Sequence, residues 1–125
     1  MLGTYRRLAI LTVASLAAAA AVAGAVLADS TPVGTLPTGP NSMIHTVDGQ
    51  LVAVALPHRT NGRIWRIARP FNSKVVQQVS EGDIGKNVVV VFKAVARGTT
   101  TVIFAVTKGE TAKAYEVRSF TISVG

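Results

Sequence analysis

From residue 87 the chain reads NVVVVFKAVA, and from residue 99 it reads TTTVIFAVT. No other feature of the sequence restricts the fold as tightly. An extended strand sends successive side chains to opposite faces, so apolar residues at every second position mark a strand with one face in a core. Val88, Val90, Phe92 and Ala94 share a face of the first run, and Val102, Phe104 and Val106 share a face of the second. The chain beyond Met43 continues in the same way. MIHTV, QLVAVAL, IWRIAR, KVVQQV and YEVRSFTISV are short runs rich in β-branched residues and bounded by turn residues. Val52, Val54 and Leu56 form one face of the second strand. Trp65 and Ile67 share a face of the third, with Arg66 on the other. Phe120, Ile122 and Val124 share a face of the last. Seven such strands, with no helix beyond the N-terminal segment, predict an all-β fold. Its expected form is an immunoglobulin-like antiparallel β-sandwich, whose core indole sits on the third strand, as Trp65 does here. The more polar KVVQQV is expected at a sheet edge, and EGDIGK is expected to be the turn that follows it.

Two segments precede this region. Arg6 and Arg7 lead into an uncharged run of alanine, leucine and valine from Leu8 to Leu27, and Val26-Leu27-Ala28 supplies a small-residue end. The pattern predicts a signal peptide over residues 1–28, with AVA at 21–23 as a second cleavage site. A retained anchor is the alternative, because a run of about 20 residues can span a bilayer. Cleavage predicts an exported chain, secreted or periplasmic, with no stable membrane insertion. Residues 29–42, DSTPVGTLPTGPNS, hold three of the five prolines and read as an extended linker outside the core. The sandwich domain is expected over residues 43–125. The chain has no cysteine, so its core stabilises it without disulfides, and thiolate catalysis and cysteine-bound metals are excluded.

The net charge is +7, and loss of Arg6 and Arg7 leaves about +5. On an exported chain this favours acidic partners or anionic surfaces over nucleic acid. Chemistry is poorly supplied. Two histidines and six acidic residues are scattered along the chain with no metal-ligand spacing. There is no H-E-x-x-H pattern, no G-x-S-x-G elbow, no P-loop and no dinucleotide fingerprint. The chain therefore reads as a non-enzyme without cofactor or metal. Its loops are the remaining candidates. In a sandwich, alternate connections gather at one end. They are HRTNGR, EGDIG and KGETAK, with glycines at 62, 82, 85 and 109. Glycine permits positive φ and close backbone approach to a partner, although an ordinary tight turn needs the same residue.

The segment LVAVALPHRTNGRIW resembles the chagasin-type inhibitors of papain-like cysteine peptidases. That family carries a strand L-V-x-I-x-L-P followed by a loop N-P-T-T-G-[FY]-x-W. Leu51, Val52, Val54, Leu56 and Pro57 match the strand, and Thr60, Gly62 and Trp65 match the loop. FKAVARGTTTVIFAV and RSFTISV extend the resemblance over residues 45–125. The departures lie in the loops. His58-Arg59 replaces Asn-Pro, Asn61 the second threonine and Arg63 the aromatic. GDIG only partly reproduces a G-x-G-G turn, and Lys108-Gly109-Glu110 stands where the family has Arg-Pro-Trp. The resemblance implies a disulfide-free immunoglobulin-like fold and a monomer. It also implies reversible inhibition of a papain-like cysteine peptidase by three loops that enter the active-site cleft. Thr60, Asn61, Gly62, Arg63, Gly82, Gly85, Lys108 and Gly109 would be the contact residues, with Trp65 supporting the first loop from beneath. The alternative is an exported immunoglobulin-like module that binds an envelope protein or an acidic surface polymer without inhibiting a peptidase.

Overall fold

The period-two runs become paired strands in the computed structural model, which describes residues 31–125. The expected signal peptide and its cleavage sites lie outside the described residues. Seven strands follow in order: β1 (Asn41–Thr46), β2 (Leu51–Pro57), β3 (Arg63–Ile67), β4 (Val76–Ile84), β5 (Asn87–Ala94), β6 (Gly98–Lys108) and β7 (Glu116–Val124). They form a four-stranded sheet, β1-β7-β6-β3, and a three-stranded sheet, β2-β5-β4. All pairs are antiparallel except β1 with β7. The second, fifth and fourth strands in one sheet, with the third, sixth and seventh in the other, is the connectivity of the immunoglobulin-like sandwich.

The core lies between the sheets and is built from the faces that the alternation marks. Val52, Val54 and Leu56 of β2 and Val90, Phe92 and Ala94 of β5 meet Val102, Phe104, Ile122 and Val124 from the opposite sheet. Each of these side chains larger than alanine contributes roughly 1.5–3 kcal/mol by leaving water. A chain of edge-to-face rings runs through this layer. Phe71 meets Phe92 at 5.7 Å between centroids, Phe92 meets Phe104 at 6.4 Å, and Phe104 meets Phe120 at 5.9 Å. Such pairs contribute about 0.5–1.5 kcal/mol each beyond burial, and they join β5 to β6 across the core and β6 to β7 within their sheet.

Two expectations are overturned. EGDIGK is not a turn. β4 runs on through Ile84, with Gly82 opposite Val89 and Asp83 opposite Val88, and only Gly85 and Lys86 turn the chain. Gly85, at φ 60°, supplies the left-handed backbone that so short a reversal needs. Only Val76 of β4 is buried, so the rest of the strand faces water and carries no apolar alternation. A bulge between Gln78 and Ser80 shifts the register as well.

The described part of the linker, 31–42, is not a free tether either. Val33 is buried with Ala105 and Val117 on the outer face of the four-stranded sheet, with Leu36 packed beside it. Arg69 donates to the carbonyls of Val33 and Gly34 at 2.8 and 2.7 Å, and Gly34 N donates to Ala112 O at 2.8 Å. At Gly39 a Cβ would run into the Val117 carbonyl, so the backbone lies directly on β7. A proline-rich stretch has few hydrogen bonds of its own. Here one valine, one leucine and a borrowed guanidinium supply what anchors it.

Candidate functional site

The loop end of the sandwich is formed by the β2–β3 loop (58–62), the β4–β5 turn (85–86) and the β6–β7 loop (109–115). The first of these begins where Pro57 ends β2 and closes on a turn from Thr60 to Arg63. Arg63 N donates to Thr60 O at 3.2 Å, and φ is positive at both central residues, 62° at Asn61 and 76° at Gly62. Asn-Gly is the pair best suited to a turn with two left-handed residues, since the asparagine tolerates that conformation and glycine adopts it without cost. Thr60, Asn61 and Gly62 are all exposed, and nothing lies within 4 Å of a Cβ built at Gly62.

The central loop is bonded to both neighbours. His58 N donates to Lys86 O at 2.9 Å, and Gly109 N donates to Gly62 O at 2.9 Å. His58 Nε2 also lies 3.1 Å from an Asp83 carboxylate oxygen. On the other side, Arg66 organises the β6–β7 loop. Its Nε donates to Thr107 Oγ1 at 2.9 Å, one of its terminal nitrogens donates to Thr111 O at 2.8 Å, and the other lies 3.6 Å from Glu110. Thr107 is fully buried and donates in turn to Gly109 O at 2.7 Å. Each orphan carbonyl of the loop met in this way keeps the backbone from collapsing or fraying.

Beneath the tip, Trp65 packs against the core and its indole Nε1 donates to Pro57 O at 2.7 Å. This ties the start of β3 to the end of β2 across the loop. Arg59 and Arg118 each lie 5.8 Å from the indole centroid. Arg59 also grips Glu116 in a two-pronged contact, Nε to Oε2 at 2.6 Å and a terminal nitrogen to Oε1 at 2.7 Å. Those hydrogen bonds hold the Glu116 carboxyl below the usual range. Partial burial opposes them, and the charges of Arg59, Arg118 and Arg63 add to them. Arg63 stacks on Tyr115 at 3.9 Å, and Lys113 lies 5.0 Å from the same ring.

Of the residues singled out from sequence, the structure brings Thr60, Asn61, Gly62, Arg63, Gly85, Lys108 and Gly109 to this end. Lys108 closes β6 as the cross-strand partner of Arg63. Gly82 is not among them, because it is a strand residue of β4 on the outer face of the three-stranded sheet. Sequence reasoning took Lys113 only as the end of the KGETAK loop and passed over Tyr115, Glu116 and Arg118. The only cue is the alternation of aromatic and charged residues in KAYEVR, and the partners of that segment lie about 50 residues away, beyond any local pattern. Among the described residues no three histidine, aspartate or glutamate side chains converge as metal ligands.

No protein-family model and no curated protein sequence matches the chain. The structure is similar to that of a cysteine protease inhibitor from Entamoeba histolytica, with 13% sequence identity and a TM-score of 0.49, over 71% of this chain and 99% of that one.

Proposed function

We propose that the chain is an exported, reversible inhibitor of papain-like cysteine peptidases that inserts its three-loop end into the active-site cleft. The observation that carries this reading is the pair of backbone hydrogen bonds, His58 N to Lys86 O and Gly109 N to Gly62 O, that join the central loop to both neighbours. A loop end tied in this way is formed before it meets a partner and loses little conformational entropy on binding. The resemblance of residues 45–125 to chagasin-type inhibitors supports a peptidase as that partner.

In this mechanism Thr60 and Gly62 approach the catalytic cysteine. The missing side chain at Gly62 lets the backbone come close, and the space around it is open. Gly85 and Lys108 meet the cleft walls, and Trp65 holds the tip from below without touching the partner. No bond to the cysteine is formed.

Gly62→Glu tests this directly. The position has room for a side chain, and its left-handed φ adds about 1–2 kcal/mol of strain, so the variant remains folded. Inhibition of papain is expected to disappear while the thermal transition stays cooperative. Unchanged potency would remove the tip from the mechanism.

A further inference from the structure

The positive charge at the loop end is concentrated beside the tip, where aromatic and cationic side chains alternate around one carboxylate. Arg118 and Arg59 flank Trp65, Arg59 holds Glu116, and Arg63 and Lys113 share the ring of Tyr115. Three cations, Arg59, Arg118 and Arg63, thus act on a single carboxylate, and only Arg59 forks onto it, while Lys113 lies against the Tyr115 ring. Arg63, Lys113 and Arg118 make ring contacts and no side-chain hydrogen bond among the described residues. A guanidinium laid against an aromatic face keeps its edge donors directed outward and its plane fixed, the arrangement in which it accepts a carboxylate most readily.

A second observation points the same way. Arg63 and Lys108 are direct cross-strand partners at the end of the β3–β6 ladder. Like charges in that position repel and cost stability, and an anion placed between them reverses the sign. We propose that this ledge of Arg63, Lys108, Lys113 and Arg118 is a docking site for an acidic segment of a partner protein, reading paired carboxylates beside the inserted tip. Two features favour protein carboxylates over an extended polyanion. Beside the ledge, Arg59 already holds a protein carboxylate in a two-pronged grip. Asp83 and Glu110 bracket the loop end on either side, so negative charge interrupts any long cationic track.

The test is binding of a hexaglutamate peptide to the full chain at low ionic strength, compared with Arg63→Gln/Lys113→Gln/Arg118→Gln. Among the described residues the three side chains make no hydrogen bond, and the melting transition checks that the variant folds. Affinity is expected to fall at least about tenfold, with a shallower dependence on salt. A control with the same charge change at the opposite end, Lys74→Gln/Lys93→Gln/Arg97→Gln, is expected to bind as the parent does. Equal loss in both variants would reduce the site to net charge and overturn the proposal, as would no loss in the first. Preference for a heparin fragment over hexaglutamate would overturn it in favour of a sulfated polymer. The result is separable from peptidase inhibition, because the uncharged Gly62→Gln, which adds bulk at the tip without adding an anion beside Arg63, is expected to retain hexaglutamate binding whether or not it inhibits.

Discussion

At Glu116 the environment works on one proton. Hydrogen bonds from Arg59 and the charges of Arg59, Arg118 and Arg63 favour the ionised carboxyl more than partial burial opposes it, so the folded-state pKa is depressed. The folded chain then binds fewer protons at this group than the unfolded chain. Its stabilising contribution is complete above the unfolded value, about 4.3, and is lost as pH falls through the depressed folded value. The melting temperature of the parent is therefore expected to drop more steeply below about pH 4 than that of Glu116→Gln, with the variant less stable at neutral pH. Parallel profiles in calorimetric scans would show that the grip on Glu116 contributes nothing. Trp65 can be tested in the same way. Trp65→Phe keeps most of the apolar surface but removes the donor that meets Pro57 O, at a cost of about 1–2 kcal/mol. In a domain of this size that lowers the melting temperature by roughly 4–8 °C per kcal/mol.

Among the elements, the strands with a full core-facing apolar row were the most legible in sequence, and the far end of β4 and the segment before β1 the least. β2, β5 and β6 each put a full apolar face into the core, so alternation alone marked Val52, Val90 and Phe104. The end of β4 escaped because none of its residues after Val76 is buried, and SEGDI reads like a turn although it pairs with β5 through Ile84. The segment before β1 escaped for a different reason. Its composition is that of a linker, and only tertiary contacts, Val33 on Ala105 and Gly39 on the Val117 carbonyl, show that it is packed. Gly39→Ala places a methyl group where β7 already lies. It is expected to destabilise the domain by about 1–3 kcal/mol, in urea or thermal unfolding. A neutral result would mean that this segment lies on the sheet without being held there.

At the scale of the whole molecule, the sandwich separates two tasks. The ring-lined core between the sheets holds the scaffold, and one end gathers three loops bonded into a single unit. The tip of that unit was legible because Asn61-Gly62 is a local turn signal. The ledge beside it was not, since Arg59 and Glu116 are 57 positions apart and only the fold brings them together. The stated mechanism requires the whole end to enter a peptidase cleft at once. The most direct test is a titration of a papain-like cysteine peptidase with the full chain, following residual activity after mixing and after dilution. Reversible inhibition at micromolar concentration or below, restored on dilution, is the expected result. Full peptidase activity in the presence of the folded chain at that concentration would contradict it.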